Sequence, residues 1–112
     1  MGCLFCNIVE GKVPAKLAYE NEHVLAFHDI RPMAPTHVLV IPRKHIVGIG
    51  EATEEDVNVL GQVMLAGRHV AETLKLEDGY RLVVNNGENA GQSVFHLHLH
   101  VLGGRPLAWP PG

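Results

Sequence analysis

Gly91-Gln92-Ser93-Val94-Phe95-His96-Leu97-His98-Leu99-His100-Val101-Leu102-Gly103-Gly104-Arg105 sets imidazoles at every second position, with Leu97 and Leu99 between them. On a β-strand, side chains alternate faces, so the three histidines share one face, spaced about 6.5 Å apart, and the leucines share the other. The leucine face reads as core. Three imidazoles on the opposite face have no packing reason, and their chemistry leaves three readings. They are a solvated strand face, a zinc chelate built from alternate imidazoles, or a site of nucleophilic catalysis. A neutral imidazole, with an ordinary pKa of about 6.5, attacks phosphorus well at neutral pH. A neighbouring imidazole can hold a phosphate oxygen or deliver a proton to a leaving amine. The preceding segment favours catalysis. Asn85, Gly91, Gln92 and Ser93 place amide, hydroxyl and close-approaching backbone donors beside the imidazoles, as an oxyanion cradle would require.

Working outward, Ser93–Leu102 is expected to be the last strand, ended by Gly103-Gly104, with residues 105–112 forming an extended tail that carries Trp109. Asn85–Gln92 reads as a loop and Tyr80–Val84 as a strand. Upstream, Val57, Leu60, Met64, Ala71 and Leu74 recur at helical spacing, widened by Val63 and Val70, with Gly67 allowing close packing of a neighbour. Thr53 caps this helix and acids fill its first turn, although Asp56 stands where a capping box carries Glu or Gln. The helix is expected to stop near Glu77, before Asp78-Gly79. Leu17–Glu20, Val24–Phe27 and His37–Ile41 read as strands, and Pro32 and Pro35 mark a loop between the second and third. The order predicts one α+β domain over residues 1–112, a mainly antiparallel five-stranded sheet with one long helix. A sheet that wide leaves an edge exposed, for which a homodimer is one remedy.

Composition agrees with a single packed domain: at 112 residues, a 46% hydrophobic share suffices for one core. A net charge of −3 gives no electrostatic reason to expect nucleic acid or an anionic membrane as partner. No apolar run approaches the roughly 18 residues of a membrane helix and no signal-peptide core opens the chain, so a cytoplasmic location is expected. Cys3 and Cys6 form a C-x-x-C, which in a reducing compartment reads as a metal half-site or as two inert thiols rather than a structural disulfide.

The triad segment resembles the signature of the histidine-triad (HIT) superfamily, H-φ-H-φ-H-φ-φ with φ apolar. The resemblance extends to Phe27-His28-Asp29-Ile30, Ala34-Pro35-Thr36-His37, Ile41-Pro42-Arg43-Lys44-His45 and Trp109-Pro110-Pro111-Gly112. The chain is most similar to the Hint branch, the nucleoside phosphoramidases. That resemblance implies a HIT-like fold whose sheet continues across a homodimer, and hydrolysis of the P–N bond of purine nucleoside 5′-phosphoramidates. In that reading His98 attacks the α-phosphorus and becomes nucleotidylated, and His100 contacts phosphate and leaving group. His96 flanks the nucleophile, and His37 supports it from the neighbouring strand. Asp29 binds the ribose hydroxyls. Phe5, Ile8, Phe27 and Ile30 line the base pocket, while Asn85, Gly91, Gln92, Ser93 and Val94 belong to the nucleotide site around the phosphate.

The chemistry then needs no cofactor. Members of the superfamily that carry a C-x-x-C imply a structural zinc held by Cys3, Cys6, His45 and His96, a donor set suited to zinc rather than magnesium or calcium. The opposing reading keeps both cysteines as small buried hydrophobes. His23, His28 and His69 read as surface histidines. The alternative function is a nucleotide-binding regulatory or adaptor protein with little turnover, and a metal-binding module is a third.

Overall fold

Residues 2–112 are described by the structure, a computed structural model. Five antiparallel strands make one sheet: β1 (Leu17–Glu20), β2 (Val24–His28), β3 (Thr36–Pro42), β4 (Tyr80–Val83) and β5 (Leu99–Gly103), in the spatial order β1-β2-β3-β5-β4. A short helix α1 (Leu4–Val9), a long helix α2 (Val57–Thr73) and three 3-10 turns, Ile49–Glu51, Glu54–Asp56 leading into α2, and Glu88–Ala90, complete the regular structure. The five-stranded α+β reading holds. Helix α1 was not expected, and its start depends on Cys3: its Sγ accepts from the Cys6 N–H at 3.3 Å as an N-cap.

The strand alternation divides the core into two layers. Val24, Ala26, Val38, Val40, Leu99 and Val101 face α2. Leu25, Phe27, Leu39 and Ile41 face the other way and pack with Phe5 of α1. On α2 the buried stripe runs through Val63, Ala66, Gly67, Val70 and Ala71, whereas Val57 and Met64 of the expected stripe are exposed. The face is rotated toward the small residues because the helix sits very close to β5. A Cβ on Gly67 would lie 2.7 Å from Leu99 Cδ2.

Both ends of α2 differ from expectation. At its start the capping box does close with aspartate: Thr53 Oγ1 accepts from Glu55 N at 3.2 Å, and Asp56 Oδ2 accepts from Thr53 N at 2.9 Å. Asp56 Oδ1 also takes the Lys44 ammonium at 2.6 Å, which ties the Pro42–His45 segment to the helix. At its end, the helix stops at Thr73 rather than near Glu77. Lys75 N donates to Glu72 O at 3.1 Å and Leu76 N to Ala71 O at 2.9 Å, a Schellman closure with Lys75 at φ +61° where glycine is usual. Burial of Leu76 against Gly103 drives the early turn.

The last strand is also shorter than expected. It begins at Leu99, not Ser93. The β3–β5 register that pairs Val40 with Leu99 would set Pro42 opposite Leu97, and Pro42 has no N–H to give the ladder. Leu97 N donates instead to Ile46 O at 2.6 Å.

The strained Lys75 yields a test. Lys75→Gly should raise the free energy of unfolding by about 1 kcal/mol, the cost of a left-handed non-glycine residue. Urea denaturation at unchanged m-value would measure it.

Candidate functional site

Sheet register assembles the site on the face opposite α2. Phe27 of β2 pairs with Leu39 of β3, and Leu39 pairs with His100 of β5, so these side chains form a row across three strands. His37, two residues before Leu39, shares that face and reaches His100, with Nε2 2.9 Å from His100 Nδ1. His98 keeps the same face although it precedes the ladder. Its ring lies 5.0 Å from that of His100 and 5.1 Å, edge-on, from Phe5.

Hydrogen bonding sets the tautomer of each imidazole. Met33 N–H donates to His37 Nδ1 at 3.0 Å, so the proton of neutral His37 is on Nε2 and is directed at His100 Nδ1. His100 therefore carries its own proton on Nε2, an atom that is buried and has no partner. His98 Nδ1–H donates to the His96 carbonyl at 2.8 Å, which leaves the Nε2 lone pair free. A nucleophilic nitrogen and an unused N–H donor thus stand on adjacent rings. Burial, with the His98 and His37 rings close by, pushes His100 down to about 4, and burial likewise lowers His37.

A cavity of about 410 Å³ opens in front of these rings. Phe5, Ile8, Phe27 and Leu39 form its apolar part, and Asp29, Gly91, Ser93, His98 and His100 its polar part. Asp29 is oriented by Arg31 N–H, which donates to Oδ1 at 2.8 Å, and Oδ2 lies 3.5 Å from His37 Nε2.

Behind the cavity sits a second constellation. Cys3 Sγ and His96 Nδ1 are 3.3 Å apart, Cys6 Sγ and His45 Nδ1 3.2 Å, and the two Nδ1 atoms 3.1 Å. All four ligand atoms lie within 4.8 Å of one another. Tetrahedral zinc separates such ligands by about 3.3–3.8 Å. His96 Nε2–H donates to Pro42 O at 2.8 Å, which frees Nδ1 as a ligand in the manner of an outer-shell partner. Without a cation, burial and the neighbouring Cys3 push the Cys6 thiol up, so a thiolate there needs positive charge beside it. The cluster fits a structural zinc.

Residues 10–107 match the HIT domain family. The chain belongs to the HIT domain family. It is 45% identical over 111 residues to a 14 kDa zinc-binding protein of Zea mays, covering 97% of this chain and 87% of that one. Its fold matches the crystal structure of a HIT family hydrolase from Legionella pneumophila with a TM-score of 0.97 at 47% identity, over 99% of this chain and all of the other. A zinc-bound histidine triad family protein from Mycobacterium smegmatis matches with a TM-score of 0.82 at 38% identity, over 92% of this chain and 75% of that chain.

Within this HIT domain most of the expected site residues converge, and four stand or bond elsewhere. Gln92 does not face the cavity: its Oε1 accepts from Gly87 N at 2.8 Å, and its Nε2 donates to Val47 O and Val94 O. Its amide is fully used in bracing the loop. Asn85 is absent from the cavity wall and stands behind Gly91, its Nδ2 3.7 Å from where a Cβ on Gly91 would be. His96 gives its ring to the Cys₂His₂ cluster and serves His98 only through its carbonyl. His37 contacts His100 rather than His98. Gly91, Ser93, Val94, Phe5, Ile8, Phe27, Asp29 and Ile30 all line the cavity, Ile30 at its rim with 93% of its surface exposed.

Leu4, Val13, Pro14, His28, Arg31 and Leu39 line the cavity without having been expected there. The alternation of β3 could have revealed Leu39. Leu4, Val13 and Pro14 depend on how the N-terminal segment lies over the sheet, and His28 and Arg31 flank Asp29 at the end of β2. Asp29, His37 and His100 also cluster closely, but His37 Nε2 carries a proton while Nδ1 accepts from Met33, so that nitrogen has no lone pair for a metal. Among the described residues, no helix is long and apolar enough to cross a membrane.

The lowered imidazoles predict an acid-sensitive fold. Neutral His100 in the native state, facing His98, His37 and Asp29, means the unfolded chain binds more protons between pH 6.5 and about 4. Stability from this group is complete above pH 6.5 and is lost as pH falls through that window. His100→Gln should make the fall in unfolding free energy shallower by at most about one proton's worth of slope. Urea unfolding from pH 4.5 to 7.5 would show it, and an unchanged slope would contradict the assigned environment.

Proposed function

We propose that this HIT protein hydrolyses nucleoside phosphoramidates through a covalent nucleotidyl-His98 intermediate. The observation that carries the reading is the pair of complementary nitrogens: the free His98 Nε2 lone pair beside the unpartnered His100 Nε2–H. A purine base suits the apolar part of the cavity, and the Asp29 carboxylate can accept from both ribose hydroxyls. Ser93 and the Gly91 backbone stand where phosphate oxygens would be held.

The chemistry is two displacements at one phosphorus. His98 Nε2 forms a bond to phosphorus while the P–N bond to the amine breaks, and the bonding pair leaves on the amine nitrogen. That nitrogen takes one solvent-derived proton, with the His100 Nε2–H hydrogen-bonded to the departing group. Water then attacks phosphorus and gives up one proton to solvent, the P–N bond to His98 breaks with its pair returning to Nε2, and nucleoside monophosphate leaves. The likeness of this chain to HIT family hydrolases of Legionella pneumophila and Clostridium thermocellum supports hydrolysis as the reaction class.

The test is release of AMP from adenosine 5′-phosphoramidate, with intact-mass detection of an adenylyl adduct. His98→Ala should lose at least about 10³-fold in kcat and all adduct. His100→Ala should lose roughly 10²-fold while still binding AMP. Wild-type protein that binds AMP but never turns over would favour the regulatory-binder reading instead.

A homodimer completes the proposal. Val57, Met64 and Leu65 are exposed on α2, and Met64 keeps 53% of its surface. β4 is an edge strand, and Arg81 on it holds the tail by donating to Leu107 O and Ala108 O, with Trp109 80% exposed beside it. Met64→Glu should shift the sedimentation mass from dimer to monomer.

A further inference from the structure

We propose that Cys3 and Cys6, through the zinc their cluster fits, are positioning residues for the nucleotide site, so that metal and nucleotide each tighten the other's binding. The inference rests on the nucleotide reading above.

Helix α1 has six residues, far short of the roughly 12–15 that an isolated helix needs. It has only one buried side chain, Phe5. What holds it is the pair of thiols at its N-cap and within its first turn, both converging on His45 and His96. The other side of the same helix is cavity wall, formed by Leu4, Phe5 and Ile8. Phe5 meets Phe27 at 5.4 Å, His96 at 5.9 Å and His98 at 5.1 Å between ring centres, each edge-on. The metal cluster and the base pocket are therefore two sides of one short element.

A second path runs through the backbone. The ring of His96 belongs to the cluster, and its carbonyl accepts the His98 Nδ1–H at 2.8 Å. That bond decides which nitrogen of His98 faces the cavity. If the cluster loosens, both the base wall and the tautomer of the nucleophile lose their anchor. A nucleotide binding to protein without zinc must then order α1 at its own expense. A nucleotide binding to loaded protein finds the wall in place. Linkage makes the effect mutual: whatever factor zinc adds to nucleotide affinity, nucleotide adds to zinc affinity.

Zinc-loaded protein and protein stripped by dialysis against a chelator would be titrated with AMP by calorimetry. Zinc affinity would be measured by a competing chromophoric chelator with and without saturating AMP, and hydrogen exchange would follow Leu4–Val9. Stripping should weaken AMP binding by about tenfold or more, and AMP should tighten zinc by the same factor. Exchange should rise in α1 while α2 and the central strands stay protected. Phe5→Ala retains all four ligands and the His96–His98 path, so it should keep its zinc but bind AMP more weakly and show a reduced coupling.

Equal AMP affinity in loaded and stripped protein would overturn the proposal and leave the nucleotide reading standing. Undiminished coupling in Phe5→Ala, or collapse of the whole fold on stripping, would overturn it too, because the link is local. Failure of loaded wild-type protein to bind AMP would instead sink the nucleotide reading on which it rests.

Discussion

Much of this molecule turns on the missing N–H of Pro42. Because that position cannot donate, the β3–β5 ladder ends before it reaches Leu97, and the chain from Ser93 to His98 is released from strand pairing. The freed Pro42 carbonyl accepts from His96 Nε2, which turns Nδ1 toward the thiols. The freed His96 carbonyl accepts from His98 Nδ1, which leaves the Nε2 lone pair free. One absent donor thus separates the roles of two histidines that an uninterrupted strand would have treated alike.

The two faces of the sheet do different work for physical reasons. The α2 face is a dry contact of valines, leucines and small residues, close enough that Gly67 leaves no space for a Cβ against Leu99. Such packing favours one arrangement strongly and resists displacement. The opposite face has only the two turns of α1 and irregular loops for cover. It leaves room for a cavity, and its polar groups satisfy one another in a chain from Met33 N–H through His37 to His100. The chain ends on an unsatisfied donor. In a buried setting that is expensive, and such exceptions concentrate where a ligand supplies the missing partner.

Loop bracing shows how nearby polar residues divide the labour. Gln92 precedes the triad and carries the right chemistry for phosphate, yet its amide closes the loop on Gly87, Val47 and Val94. By holding that loop it sets the place of Gly91 and Ser93, which do reach the cavity. Asp56 is similar: an acid at a helix start, it also clasps Lys44 and so holds the segment that bears His45. Residue type alone does not separate a ligand from a brace, because both roles need the same hydrogen-bonding groups.

Period-two alternation was enough to put His98 and His100 on one face and Leu99 in the core, since strand geometry depends only on the local backbone. The glycine at position 67, the five strands and the pairing of Cys3 and Cys6 with His45 and His96 were likewise legible, the last through resemblance to relatives. What the chain could not announce was anything set by distant partners. Leu76 ends α2 early by burying itself against Gly103, Pro42 stops a strand over fifty residues away in sequence, and α1 forms only where its thiols and Phe5 find the sheet. Local patterns fix which faces are apolar. Tertiary packing alone decides which buried donor meets which acceptor, and at this site that choice determines the tautomers of His37, His96, His98 and His100.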